Sequence, residues 1–98
     1  MGATTFSTIA SGKTAQAAFQ AAVKDAQHEY GHGGYTGTIA EKSGFTEITP
    51  TRLTIEAAGE LASKLIDADD PRIDDKWGPA GMLRLSDGRF LFFGWASE

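Results

Sequence analysis

Residues 82–95 read MLRL, then SDG, then RFLFFGW: two apolar runs joined by a polar turn that ends in Gly88. A strand with one wet face alternates apolar and polar residues, whereas Phe90, Leu91, Phe92 and Phe93 are apolar without interruption. Such a strand is apolar on both faces, which fits a central position in a sheet. The turn residues predict a hairpin with the preceding run.

Working outward, the remaining elements must supply its neighbours. TTFSTIA (4–10) alternates and is rich in β-branched residues, as a strand requires. From Thr14 the period changes, with Ala15, Ala18, Phe19, Ala22, Val23, Ala26 and Tyr30 at spacings of three and four. This predicts a helix whose small face lies close to a sheet, stopped by the glycines of GHGG. YTGTIAE (35–41) and FTEIT (45–49) read as two short strands joined by KSG, with Pro50 ending the second. TIEAAGELASKLI (54–66) carries a second helical stripe, with Thr54 as cap and Glu56 in the first turn. Gly59 in its middle costs about 1 kcal/mol against alanine, which suggests close packing there.

The expected fold is therefore a single α+β domain spanning residues 1–98. About five mostly antiparallel strands, in the order β-α-β-β-α-β-β, carry two helices on one face.

Composition narrows the function classes. A chain of 98 residues holds one core and leaves little room for a separate substrate domain. It has no cysteine, so disulfides, thiolate metal sites and cysteine nucleophiles are excluded, and a reducing cytoplasm is the default compartment. MGATTFSTIASGK lacks the basic start and apolar run of a signal peptide, and no stretch reaches the roughly 18 apolar residues of a membrane span. The net charge is −4 with scattered basic residues, which argues against direct binding to nucleic acid.

HEYGH (28–32) matches H-E-x-x-H, in which two histidines one helical turn apart hold zinc and the glutamate works on a water. Catalytic zinc needs a third protein ligand. The metzincin continuation fails, because Tyr35 stands at its glycine position and Thr38 at its histidine position. A gluzincin-like set of His28, His32 and Glu56 or Glu60, with Glu29 as base, stays open as an alternative. The glycines after Tyr30 oppose it, since a helix that stops there swings His32 away from His28.

Other motifs carry less. SGKT (11–14) resembles the end of a phosphate loop, but Ser7 stands where the leading glycine belongs, so no nest of N–H groups forms. Glu41, Glu47 and Glu56 could act as a carboxylate pair only if the fold brought them together. No serine or threonine has an activating context such as G-x-S-x-G. GHGGYTGTIAEK (31–42) has four glycines in twelve residues, a density suited to tight turns or close approach to a ligand, with Tyr35, Thr36 and Lys42 as donors. DADDPRIDD (67–75) holds five aspartates but lacks the glycine and terminal glutamate of a calcium loop. KWGPAG follows it, and a tryptophan beside an acidic loop can anchor an interface. Asp69, Asp70, Asp74, Asp75 and Trp77 are thus the candidate binding residues, together with Tyr35, Thr36 and Lys42.

EYGHGGYTGTIAEKSGF and DDKWGPAG, with the opening MGATTF and closing LFFGWAS, resemble a family of small, largely uncharacterised proteins of bacteriophages, prophages and plasmids. The resemblance spans nearly the whole chain, and its motifs name no chemistry. It implies a protein acting inside a bacterial host, including anti-CRISPR or other anti-defence roles. The first expectation is a non-enzymatic inhibitor that occupies a host protein, with no cofactor and no membrane partner; homo-oligomers stay open. The alternatives are a nucleotide-messenger sponge contacting phosphate through Lys13, His32 and Lys42, and a minimal zinc hydrolase.

Overall fold

The computed structural model describes residues 3–30 and 37–97. In chain order the elements are β1 (Ala3–Ala10), α1 (Ala15–Tyr30), a 3-10 turn (Ile39–Glu41), β2 (Phe45–Leu53), α2 (Ile55–Asp67), β3 (Ala80–Leu85) and β4 (Phe90–Ser97). The strands form one sheet in the order β1-β4-β3-β2. β4 is central, antiparallel to β1 from Ala3 opposite Ser97 to Ala10 opposite Phe90, and antiparallel to β3. The β3–β4 turn forms as its sequence predicts, with Gly88 at φ 92° and its N–H donating to the Leu85 carbonyl.

The uninterrupted apolar run of β4 sends alternate side chains into two separate cores. Phe90 and Phe92 join Met82 beneath Ala18, Phe19, Ala22 and Ala26 of α1. Leu91 and Phe93 join Leu83, Leu85 and Ile73 beneath Ala58 and Ala62 of α2. The helices therefore lie on opposite faces of the sheet, not on one. A sheet roofed on one side would leave Leu91 and Phe93 in water, and they are 5% and 0% exposed. The domain is α+β, with a mixed four-stranded sheet between two helices.

Three further expectations are corrected. No strand forms over the described part of 35–41. Gly37 has φ 70°, and the Thr38 hydroxyl accepts from Ala40 N–H, starting the 3-10 turn. With that strand gone, β2 has no hairpin partner. It pairs in parallel with β3, with α2 as the crossover that parallel strands need. β2 also continues past Pro50 to Leu53. It is an edge strand with register shifts between Glu47 and Thr49 and between Thr49 and Leu53, and edges and bulges are where proline is tolerated. The shifts reverse the alternation, so Phe45 packs in the α1-side core and Leu53 in the α2-side core.

Both helices begin as the sequence indicates. Thr14 Oγ1 accepts from Ala17 N–H, and Thr54 Oγ1 from Ala57 N–H, each satisfying a donor of the first turn. Gly12 of SGKT has a steric explanation: a Cβ there would sit 2.5 Å from Ala18 N, so the chain runs against the first turn of α1. α2 ends on a paired motif in which Asp70 N–H donates to Leu65 O and Asp69 N–H to Ile66 O, with Asp69 left-handed at φ 50°. No helix among the described residues is long and apolar enough to cross a membrane.

Gly59 does not mark close packing. A Cβ there meets nothing within 4 Å. Gly59→Ala is therefore expected to stabilise the domain by about 0.5–1 kcal/mol through helix propensity alone, read as a raised urea midpoint. An unchanged or lowered midpoint would contradict the open environment.

Candidate functional site

The loop between α2 and β3 holds most of the candidate binding residues, and it is internally tied. Ile73, 1% exposed, plugs it into the α2-side core, and its N–H donates to Asp70 O. The Asp70 carboxylate accepts from Arg72 through the backbone N–H, Nε and Nη2 at 2.9–3.0 Å. Those hydrogen bonds hold its carboxyl below the usual aspartate value. Asp75 Oδ1 accepts from Trp77 N–H at 2.8 Å, closing a turn local to the chain. Asp69 and Asp74 are exposed. Trp77 is 59% exposed, and the Lys76 ammonium sits 5.6 Å from its ring centroid.

Lys42 links this loop to the end of the glycine-rich segment. Its Nζ donates to the carbonyls of Lys76 at 3.0 Å and Asp75 at 3.4 Å, and it lies 5.9 Å from the Phe6 ring centroid. At 4% exposure it acts as a structural tether, its ammonium already bonded within the protein. Next to it, the Glu41 carboxylate accepts from Gly37 N–H at 2.6 Å and from Ser97 N–H and Oγ at 2.8 and 2.7 Å. The structure thus joins Lys42 to the backbone of Asp75 and Lys76 through part-buried hydrogen bonds. Tyr35 and Thr36 lie outside the described residues.

Burial pushes the Lys42 ammonium below its ordinary value of 10.5, opposed by the charges of Glu41 and Asp75. Between the lowered value and 10.5 the unfolded chain binds the proton more tightly than the native one, so this residue adds stability as pH rises through that window. Urea denaturation from neutral pH to 10.5 is expected to show a rising component that Lys42→Met removes. Identical pH profiles for the two proteins would contradict it.

The described members of the zinc alternative do not come together. His28 and Glu29 are exposed on the last turn of α1, and His32 lies outside the described residues. Glu56 and Glu60 ride on α2, across the sheet from α1, so neither converges with His28. Among the described residues no group of three or more histidines and carboxylates is placed to hold a metal ion. The three glutamates also stay apart: Glu41 binds Ser97, Glu47 pairs with Arg84 at 2.8 Å, and Glu56 stands in the first turn of α2.

Sequence reasoning missed the grip of Lys42 and Glu41 on partners 33 to 56 residues away, which leave no local signal. It also passed over β1 as a surface. No family model, curated protein or solved structure matches this chain.

Proposed function

We propose that the chain is a non-enzymatic protein-binding domain of a mobile genetic element that occupies a basic patch on a host protein, a defence-system component among the candidates. The observation that carries this reading is Trp77, 59% exposed on a loop fixed by Ile73, by the Asp75 turn and by Lys42. Large exposed aromatics on ordered loops make effective anchors, because little conformational freedom is lost on docking. Asp69 and Asp74, exposed on the same loop of a chain of net charge −4, favour encounter with a positive surface. The resemblance to phage and plasmid proteins supplies the setting. The sponge reading is weakened, since the Lys42 ammonium is already bonded within the protein.

The test is affinity capture from a bacterial lysate followed by titration of the captured protein. Trp77→Ala is expected to weaken binding about 30-fold, equivalent to roughly 2 kcal/mol, with an unchanged melting temperature. Added salt is expected to slow association. A partner held equally well by the variant would refute this surface, and thermal stabilisation by a cyclic nucleotide would revive the sponge.

A further inference from the structure

β1 is the outermost strand, and no described strand pairs with its free side. Natural sheets blunt such an edge with charge, proline, bulges or shortness. β1 has none of these: Ala3–Ala10 is ATTFSTIA, eight residues in unbroken register with β4. A groove runs along each of its faces. On the α1 side a cavity of about 620 Å³ is lined by Phe6, Thr8, Ala22, Asp25, Ala26 and Glu29. On the α2 side one of about 630 Å³ is lined by Ile9, Ile55, Gly59, Ile66 and Leu91.

The two grooves differ in chemistry. The α2-side groove contains Ile9 and Ile55, which with Trp77 are the exposed large apolar residues of the described chain. Gly59 opens onto it, and the absence of a side chain there keeps room for a guest at the expense of helix stability. The α1-side groove has an acidic rim, Asp25 and Glu29. Arg89 also reaches that groove, but its guanidinium is bound to Asp87 at 2.7 Å.

We propose that the β1 edge takes up an extended segment of another protein as a fifth strand. Successive side chains of an added strand point to opposite faces, so this edge selects a segment that alternates basic residues, toward Asp25 and Glu29, with apolar ones, toward Ile9, Ile55 and Ile66. Charge disfavours a second copy of this chain. Antiparallel pairing of two β1 strands about a two-fold axis places both α1 helices on one face of the joined sheet, with their acidic rims turned toward each other. No residue of the Trp77 loop lines either groove.

The probe is a labelled eight-residue peptide alternating lysine and valine, with a glutamate–valine peptide as control, titrated by fluorescence anisotropy. The lysine peptide is expected to bind at least tenfold more tightly than the control and to protect backbone amides within residues 3–10 from hydrogen exchange. Gly59→Trp, which fills the apolar groove from an open helix position, is expected to weaken it at least tenfold. The double variant Asp25→Lys/Glu29→Lys is expected to reverse the preference between peptides, and Trp77→Ala to leave it unchanged. No binding, equal affinity for both peptides, or protection outside residues 3–10 would overturn the proposal. So would sedimentation showing a wild-type dimer that Ile9→Lys dissociates, which would make a second copy the occupant.

Discussion

Phe92→Ala is expected to destabilise the domain by about 3–5 kcal/mol, the range for emptying a fully buried phenylalanine site. Phe92 is 0% exposed, and its ring stands 5.5 Å from both Phe19 and Phe45, edge-on to each. Phe19 and Phe45 are themselves 5.2 Å apart. The three rings come from α1, β2 and β4, so removing the middle one loosens a helix and the far edge strand together. Edge-to-face pairs contribute about 0.5–1.5 kcal/mol beyond burial. A domain of this size has about 5–15 kcal/mol in all, and each kcal/mol moves its melting temperature by about 4–8 °C. The variant should therefore melt at least about 12 °C lower by circular dichroism. Phe92→Leu, which leaves a smaller void, should lose clearly less. A drop within a few degrees for the alanine variant would mean that the packing around this ring is not as described.

Glu41→Ala is expected to lower stability by about 2–4 kcal/mol, which is large for a residue outside both apolar cores. Its carboxylate accepts from Gly37 N–H and from the N–H and hydroxyl of Ser97, and Ser97 is 0% exposed. Alanine leaves buried donors at the end of β4 without their charged acceptor, and an unsatisfied buried donor costs more than a hydrogen bond contributes. Glu41→Gln keeps a side-chain oxygen in reach and is expected to recover about half of the loss. The readouts are the urea midpoint and the exchange rate of the Ser97 amide. Full stability in the alanine variant would show that this clamp is incidental.

The parts of the fold legible in the sequence are those with a strong local period. The β3–β4 hairpin, the start of α1 and the span of α2 all stand within a residue or two of their expected places. The side of the sheet on which each helix lies has no local code. It was implied nonetheless by β4, because Phe90 and Phe92 facing one way and Leu91 and Phe93 the other require cover on both faces. The TGTI stretch misled because its alternation imitates a strand. Gly37 in a left-handed conformation and the Thr38 cap turn that chain instead. For the candidate site, the acidic loop and its tryptophan were visible as composition. The inward commitment of Lys42 was not, because a lysine reads as solvent-facing until a distant segment offers it two carbonyls.

The central place of β4 also shapes how the domain forms during synthesis. It is the last described element to leave the ribosome, yet it is the middle layer of both cores and the only described strand paired with β1. Until Phe90–Ser97 emerges, α1 and α2 have no shared sheet to close on, and β1 waits with both its edges bare. Joining the first described strand to the last closes a loop of nearly the whole chain, a topology that folds slowly because distant segments must meet before their contacts stabilise anything. The sheet therefore cannot close before β4 has emerged, and the interval until then is when the bare strands most need protection from aggregation.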